Sequence, residues 1–526
     1  MARQPKSVRL PYPIAGIDDR VMELDPARPT ARYLDNINIK AGKLESRRGK
    51  SIMASATTGT VLTDAVVHYD EDVLANQVLY KRKNGASYAL YYNDISDGST
   101  STYASFALTS ASKLVGTRIS AAGANRTVVA TGSSAPFVWD GSTASPYTTS
   151  AGTWQLTGTD AATVCSSAIT GVFVYGGHIF FYGSALTKLF SLPVASVAGA
   201  VTTTDFAQFT RSKGVAGAGS FYTKVSQDTT LDGLAIVGTD GTVIVYAGSD
   251  PSTISTWAMQ GTTKLSGKPL NARSVVSTGR DVFVLTDTGL YSVARQLAFI
   301  TEAISAPISQ VFDERVTSAA ELAYDSANAR IIINLGDVDA SAVSQLIYHI
   351  DSNAWTTWSA CSANTVAAAG SSLVAMNDNV IWYLDHDYSD ETSSGVFADV
   401  VSTIEWSHSS FGNGARKRWI KVAPQFRAYG TITQQVGMIS DFETQNRLAA
   451  AGTWSGQNIS WAQLAGLTWA QWAAAGWASD ELSPLSWKAL TGVGTAGALT
   501  LTAGTGMAPI KFVSCLVVYE QTNSLL

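Results

Sequence analysis

The sequence predicts an all-β protein, a β-propeller followed by a second all-β platform domain of sandwich or barrel-like build, with few helices. Three observations predict it. Short runs rich in Val, Ile, Thr, Tyr and Phe, punctuated by Gly, Asn, Asp and Ser, fill nearly the whole chain. Aromatic-rich hairpins recur between about residues 60 and 390 without a strict period, the pattern of small antiparallel sheets arranged as propeller blades, with an array of β-sandwiches as the competing arrangement. After about residue 395 the composition shifts, which marks a second domain.

In chain order, residues 1–50 carry Pro11, Pro13, Pro26 and Pro29 and read as an extended arm that contributes to the platform. Residues 51–395 form the irregular propeller. Its strands and hairpins are expected at 87–94, 127–142, 170–184, 234–248, 274–294, 329–336 and 379–385. Within 234–248 the dipeptide Asp240-Gly241 separates two apolar runs and suits a two-residue type I′ turn; Thr288-Gly289 fits the same pattern less well. The exceptions are 303–316 and 318–325, read as a short helix or an ordered crossover beside a strand. Residues 396–526 form the platform, with a strand-like stretch over 402–440 and a buried-type strand over 512–519. Between them lies a Trp-rich insertion at 454–487, holding Trp454, Trp461, Trp469, Trp472, Trp477 and Trp487. So many tryptophans cannot all enter one small core, so some are expected between subunits or in a stacked ladder.

Composition bounds the function. With 46% hydrophobic and 10% aromatic residues, the 526-residue chain has too much apolar surface to remain disordered. Charged residues make up only 15%, against about 25% in an average domain, and the net charge is −5. A protein that wraps DNA by neutralising phosphates is therefore not expected. Cys165, Cys361 and Cys515 lie far apart and read as free, buried thiols. The first residues lack a signal-peptide core, and no run reaches the ~18 apolar residues that span a bilayer. The chain is expected to be made soluble in a reducing compartment, with no stable membrane insertion.

No motif assigns catalysis. The five histidines (68, 178, 349, 386 and 408) fall in no HExxH, HxH or GxSxG pattern, and GxxxxGK[ST] is absent. No catalytic residue, cofactor or metal ligand is assigned. The stretch from Asp385 to Glu391 places four carboxylates and His386 in seven residues, which reads as a solvated turn before it reads as a cation loop. Residues 351–358, DSNAWTTW, keep part of a sialidase Asp-box but lack its Gly and its repetition, and read as a hairpin burying Trp355 and Trp358. Basic clusters occur at 47–50, 81–83 and 416–418; Arg416, Lys417, Arg418 and nearby Lys421 are assigned to contact with an acidic partner.

The pieces that carry a resemblance follow one another along the chain. ARYLDNINIKAGKLESRRGKS contributes Asn36, Asn38, Gly42, Arg48 and Gly49. Further on come SAPFVWDG (134–141), the stretch 178–295, LIYHIDSNAWTTWS (346–359), the tryptophan run and the closing WKALTGVGTAGALT to VVYE. Together they resemble the tail nozzle proteins of short-tailed bacteriophages, also called tail tubular or tail hub proteins. The resemblance spans most of the chain through scattered apolar and turn residues. The tryptophan run departs from it by having Ala and Gln where Asp and Gly are expected.

That resemblance implies a structural virion protein without catalysis, made in the bacterial host cytoplasm and assembled into the phage tail. It implies a homohexameric ring below the portal and adaptor rings, which retains the packaged genome and conducts it during ejection. Its partners would be other copies of itself, portal-adaptor proteins, tail fibres, spikes or a needle, and double-stranded DNA in transient non-specific contact. Loops of the C-terminal domain, or loops facing the propeller axis, are expected to gate the channel, whose wall should carry few exposed arginines. A low charge density suits a subunit flanked by neighbours. The alternatives from other classes are a propeller glycosidase or depolymerase acting on host surface glycans, and a carbohydrate-binding module that uses the tryptophans as stacking platforms.

Overall fold

The computed structural model describes residues 5–521 other than 21–27, 56–59, 71–74, 85–86, 95–99, 104–107, 110–112, 122, 209–213, 225–229, 249, 254–256, 337–341, 370–371, 378–379, 388, 412–414, 429–430, 442–446, 449–451, 456–480, 483–485 and 506–508. Of the described residues about 60% are in strands and 5% in helices, so the structure is nearly all β. Among the described residues no helix is long and apolar enough to cross a membrane.

Six separate antiparallel sheets form a β-propeller. Five follow one another over 60–103, 115–146, 171–205, 215–264 and 275–292, the last of them three-stranded. The sixth contains Thr365–Ala369, Ser372–Asn377 and Val380–Asp387, and it takes its outermost strand, Gly49–Ser55, from the start of the chain. One further station in the ring is filled by four strands over 321–359, which belong to a ten-stranded sheet of the platform. The first strand of each unit meets the first strand of the next, from Thr60–Asp70 round to Thr365–Ala369 and back. Small residues suit this inner ring, where the strands crowd together. A Cβ on Gly116 would fall 2.4 Å from the Val66 side chain, and one on Gly217 2.5 Å from Val275.

The platform is woven from both ends of the chain. The final strand, Lys511–Gln521, pairs along one edge with Lys6–Leu10 and Lys43–Ser46, and along the other with Lys417–Ala428. In the ten-stranded sheet, Ala31–Asp35 lies between Ala354–Ser359 of the propeller station and Val400–Trp406 of the C-terminal region. Among the described residues of 1–50, Lys6–Leu10, Ala31–Asp35 and Lys43–Ser46 are thus strands with partners far along the chain, and Ile37–Lys40 joins Lys43–Ser46 in a local hairpin. The core follows this connectivity. One cluster joins Phe283, Leu290 and Trp355 to Trp406, Trp419, Val517 and other platform residues, while smaller clusters fill the gaps between neighbouring blades.

Three local expectations change. The 234–248 hairpin turns through three residues; Gly238 O accepts from Gly241 N at 3.0 Å, and Gly241, at φ +84°, is the only one of the three in the left-handed region. Such a loop is a type I turn closed by a bulge, in place of a type I′ turn. Residues 303–316 do contain a short helix, Ser309–Arg315, preceded by a 3₁₀ turn, but 318–325 contributes the inner strand Glu321–Asp325. Cys361 and Cys515 are buried free thiols, whereas Cys165 is only half-buried.

Candidate functional site

Seven inner strands enclose an axial cavity of about 440 Å³, walled by small and apolar residues such as Ala65, Gly116, Val172, Ala218, Leu322 and Ala367. At the end where most of these strands begin, charged side chains converge from separate units. Asp64, fully buried on the first inner strand, forms an ion pair with Arg273, which precedes the fifth blade. Arg273 reaches over to Thr365 Oγ1 (2.7 Å) and Val366 O (3.0 Å) and lies 3.5 Å from Glu321. Glu321 also pairs with Lys113 and accepts from Thr365 Oγ1 at 2.9 Å. Leu114 N donates to the second oxygen of Asp64 at 2.6 Å. Burial raises the Asp64 pKa, partly offset by Arg273, while burial lowers that of neighbouring Lys81. Each carboxylate here already accepts from a cation and from a hydroxyl or a backbone N–H, so the cluster, an ionic stopper beside the axial cavity that Arg273 lines, is satisfied within itself.

A second buried network ties the propeller to the platform. Arg47, 1% exposed, grips Asp390 through two bonds of 2.8 and 2.6 Å and also donates to Asn36 Oδ1 at 2.7 Å. Burial disfavours the Arg47 charge, yet the surrounding Cys361, Asp390 and Asp385 keep its pKa above the ordinary guanidinium value. Arg330, equally buried, bonds Asp325 and Asp385 at 2.7 Å each and Asn38 Oδ1 at 2.9 Å, and its guanidinium lies 4.6 Å from the Trp358 ring centroid. Asp385 sits at φ +53°, a costly conformation for a non-glycine residue, held there by Arg330 and by the Arg48 N–H at 2.6 Å. The backbone N–H of Lys50 donates to Asp390, and that of Ile52 to Glu391. Asp385, Asp390 and Glu391 of the acidic stretch are therefore a clasp for Arg48 and the strand Gly49–Ser55 and not part of a solvated turn. Among the described residues no group of potential metal ligands converges.

The residues assigned to partner contact divide. Arg416 and Arg418 are exposed, but Lys417 points inward, with its ammonium donating to Ala415 O (2.8 Å) and Thr495 O (3.2 Å) and lying 5.9 Å from the Tyr519 ring. Its assignment as a surface contact is corrected. Lys417 and Trp419 occupy inward positions of the strand Lys417–Ala428, while Arg418 between them and Arg416 just before it are exposed. Lys421 lies 4.3 Å over the ring of Trp487, which is 39% exposed. Of the assigned tryptophans, Trp454 falls on the strand Gly452–Ser455, while Trp461, Trp469, Trp472 and Trp477 lie outside the described residues. Trp355 and Trp358 are both buried, and Trp355 Nε1 donates to Ile304 O at 3.0 Å.

The stopper residues Asp64, Lys113, Arg273 and Glu321 had no assignment in the sequence. The one local signal is Asp64 itself, a lone carboxylate inside the apolar run TVLTDAVV. No family model matches the chain, and no curated protein matches it in sequence.

Proposed function

We propose that this chain is the subunit of a phage tail nozzle: a virion protein forming a six-membered ring that continues the DNA-exit channel below the portal and adaptor, retains the genome and conducts it at ejection, and anchors fibres or spikes. One observation carries the reading. Two of the sequence pieces that bear the resemblance, 31–51 and 346–359, fall on the junction between propeller and platform, while 134–141 and 178–295 lie in the blades. Asn36, Asn38, Arg48 and Gly49 belong to the clasp, and 346–359 supplies strands that run from the propeller ring into the platform sheet. A stiff joint of this kind suits a subunit that must hold internal pressure.

Other features support it. Phe299 (92% exposed), Phe397 (57%) and Val396 (54%) stand in water on the isolated chain, as expected of surfaces that neighbours cover. The axial cavity has the volume of a small-molecule pocket, so a duplex must travel between subunits. The gate then belongs to loops of the platform and not to the propeller axis. The glycosidase alternative needs a carboxylate pair open to a sugar, whereas Asp64 and Glu321, beside the axial cavity, are both bound to cations. Native mass measurement of the purified chain, alone and with its candidate adaptor, tests the proposal. A six-fold multiple of the subunit mass in either case is expected; a stable monomer in both overturns it.

A further inference from the structure

Two cavities of about 780 and 770 Å³ open on the platform and meet at Ile14 and the turn Lys40–Ala41–Gly42. They form one trough, divided by that turn. The turn is rigid by construction: Lys40 pairs with Lys43, and both central residues, Ala41 (φ +47°) and Gly42 (φ +72°), take the left-handed conformation of a type I′ hairpin. The floor of the larger lobe is apolar. Beneath it the buried Tyr12 packs against Trp406 and Phe512 at ring distances of 5.3 and 5.5 Å, and its hydroxyl donates to Gln425 O. Ile14 and Val513, 39% and 46% exposed, line the same lobe and are apolar side chains left in water.

The rim carries the opposite character. Among the described residues, Lys40, Lys43, Arg427 and Lys511 surround the larger lobe and Arg28 the smaller, against Glu45 and Asp351: five cations to two carboxylates. Lys511 stands between Arg427 and Glu45 in the sheet register, and Glu45 is drawn to Lys40 at 3.4 Å. No ion pair engages Arg28, Lys43 or Arg427 among the described residues. On a chain of net charge −5 this is a local reversal of sign.

We propose that this trough is a docking site for an acidic, apolar-bearing segment of a partner protein, laid extended across the Lys40–Gly42 turn with its carboxylates on the cationic rim and its apolar side chains against Ile14 and Val513. Charge complementarity selects the occupant. The apolar floor separates a peptide from DNA, because a phosphate backbone has no use for Ile14, Phe512 and Val513 beneath its charges. The inference rests on the trough alone and holds whether or not the chain forms a nozzle ring.

Fluorescence anisotropy on the full-length protein tests it. The probes are a labelled extended peptide alternating Asp with Leu and Val, the same peptide with Asn for Asp, and a short DNA duplex. The acidic peptide should bind, and the Asn version should bind at least tenfold more weakly. Lys43→Glu with Arg427→Glu should weaken the acidic peptide at least tenfold, whereas Lys268→Glu with Arg280→Glu, the same charge change at exposed sites elsewhere, should leave it unchanged. Val513→Ser, on the exposed face, should cost about threefold and guards against misfolding of the charge variant, as does an unchanged near-ultraviolet circular dichroism spectrum. Equal binding of the Asn peptide, equal loss in both charge variants, no binding of the acidic peptide up to about 1 mM, or tighter capture of the duplex through Lys43 and Arg427 overturns the proposal. The ring's mass does not enter any of these readouts, so failure here and failure of the nozzle reading are separate results.

Discussion

Replacing Asp390 by Ala removes the carboxylate that neutralises Arg47. The Arg47 side chain is 1% exposed and that of Asp390 7%, and they share two bonds of 2.8 and 2.6 Å. The guanidinium that remains keeps Asn36 Oδ1 and the carbonyls of Arg48 and Ser359, but it has no charge partner at bonding distance. Breaking a buried pair by deleting one member costs about 3–5 kcal/mol. The backbone N–H of Lys50, which donates to Asp390 at 3.0 Å, loses its acceptor as well. The expected loss is therefore about 4 kcal/mol, concentrated where Gly49–Ser55 closes the last blade. Urea denaturation followed by tryptophan fluorescence reads the magnitude, and limited proteolysis with fragment mapping near residues 49–55 reads the location. Because the pair is buried, the loss should persist in high salt, unlike that of a surface ion pair. The double variant Arg47→Met/Asp390→Leu should cost less than the sum of its single changes by about 2 kcal/mol or more. An Asp390→Ala protein within about 1 kcal/mol of the parent, with the closing strand still protected, would refute the clasp.

Three further outcomes follow from other contacts. A Cβ on Gly49 would lie 2.0 Å from the Ser389 carbonyl oxygen, so Gly49→Ala should destabilise by about 1–3 kcal/mol, read by the same urea curves; no change would show that the closing strand does not approach so closely. Trp358 is fully buried with Arg330 stacked on it, so Trp358→Ala should cost about 3–5 kcal/mol, while Trp487→Ala, at a site 39% exposed, should cost far less. His349 is held neutral by burial, with Arg330 and Lys40 adding to the effect, and its pKa falls to about 3. Since the unfolded value is about 6.5, its contribution is complete above that pH and is lost as pH falls toward about 3, at about 1.4 kcal/mol per pH unit. Stability measured against pH should therefore fall more steeply between about 6.5 and 4 in the parent than in His349→Gln, and parallel curves would contradict the assignment.

The fold class was legible because strand and turn chemistry is local. The expected hairpin at 170–184 coincides with the paired strands Gly171–Tyr175 and His178–Tyr182. What closes the ring is not local, and so was missed. Gly49–Ser55 carries no sign that its partner is Val380–Asp387, and 321–359 carries none that it serves the propeller and the platform together. The acidic stretch read as a turn because its cations are remote; Arg47 is 343 residues from Asp390. Lys417 is a different case. The strand alternation of 416–419 puts it beside Trp419, and counting by twos would have turned it inward. For the stopper, Asp64 was visible as an oddity, but Arg273 and Glu321 reach it only through the closure of the ring.

Closure by the first strand has a consequence during synthesis. Gly49–Ser55 leaves the ribosome early, yet the edge it must occupy appears only when Val380–Asp387 emerges. At 5–20 residues per second, the 343 residues between Arg47 and Asp390 represent a delay of about 20–70 s. Through that interval the nascent chain bears one unsatisfied strand at its start and, once the inner blades stack, a half-built wheel at its end. The platform waits longer, since Lys6–Leu10 pairs with Lys511–Gln521. Neither body can close before the later partner of its early strand has emerged, so a chain cut before Val380 cannot close the propeller and one cut before Lys511 cannot complete the platform.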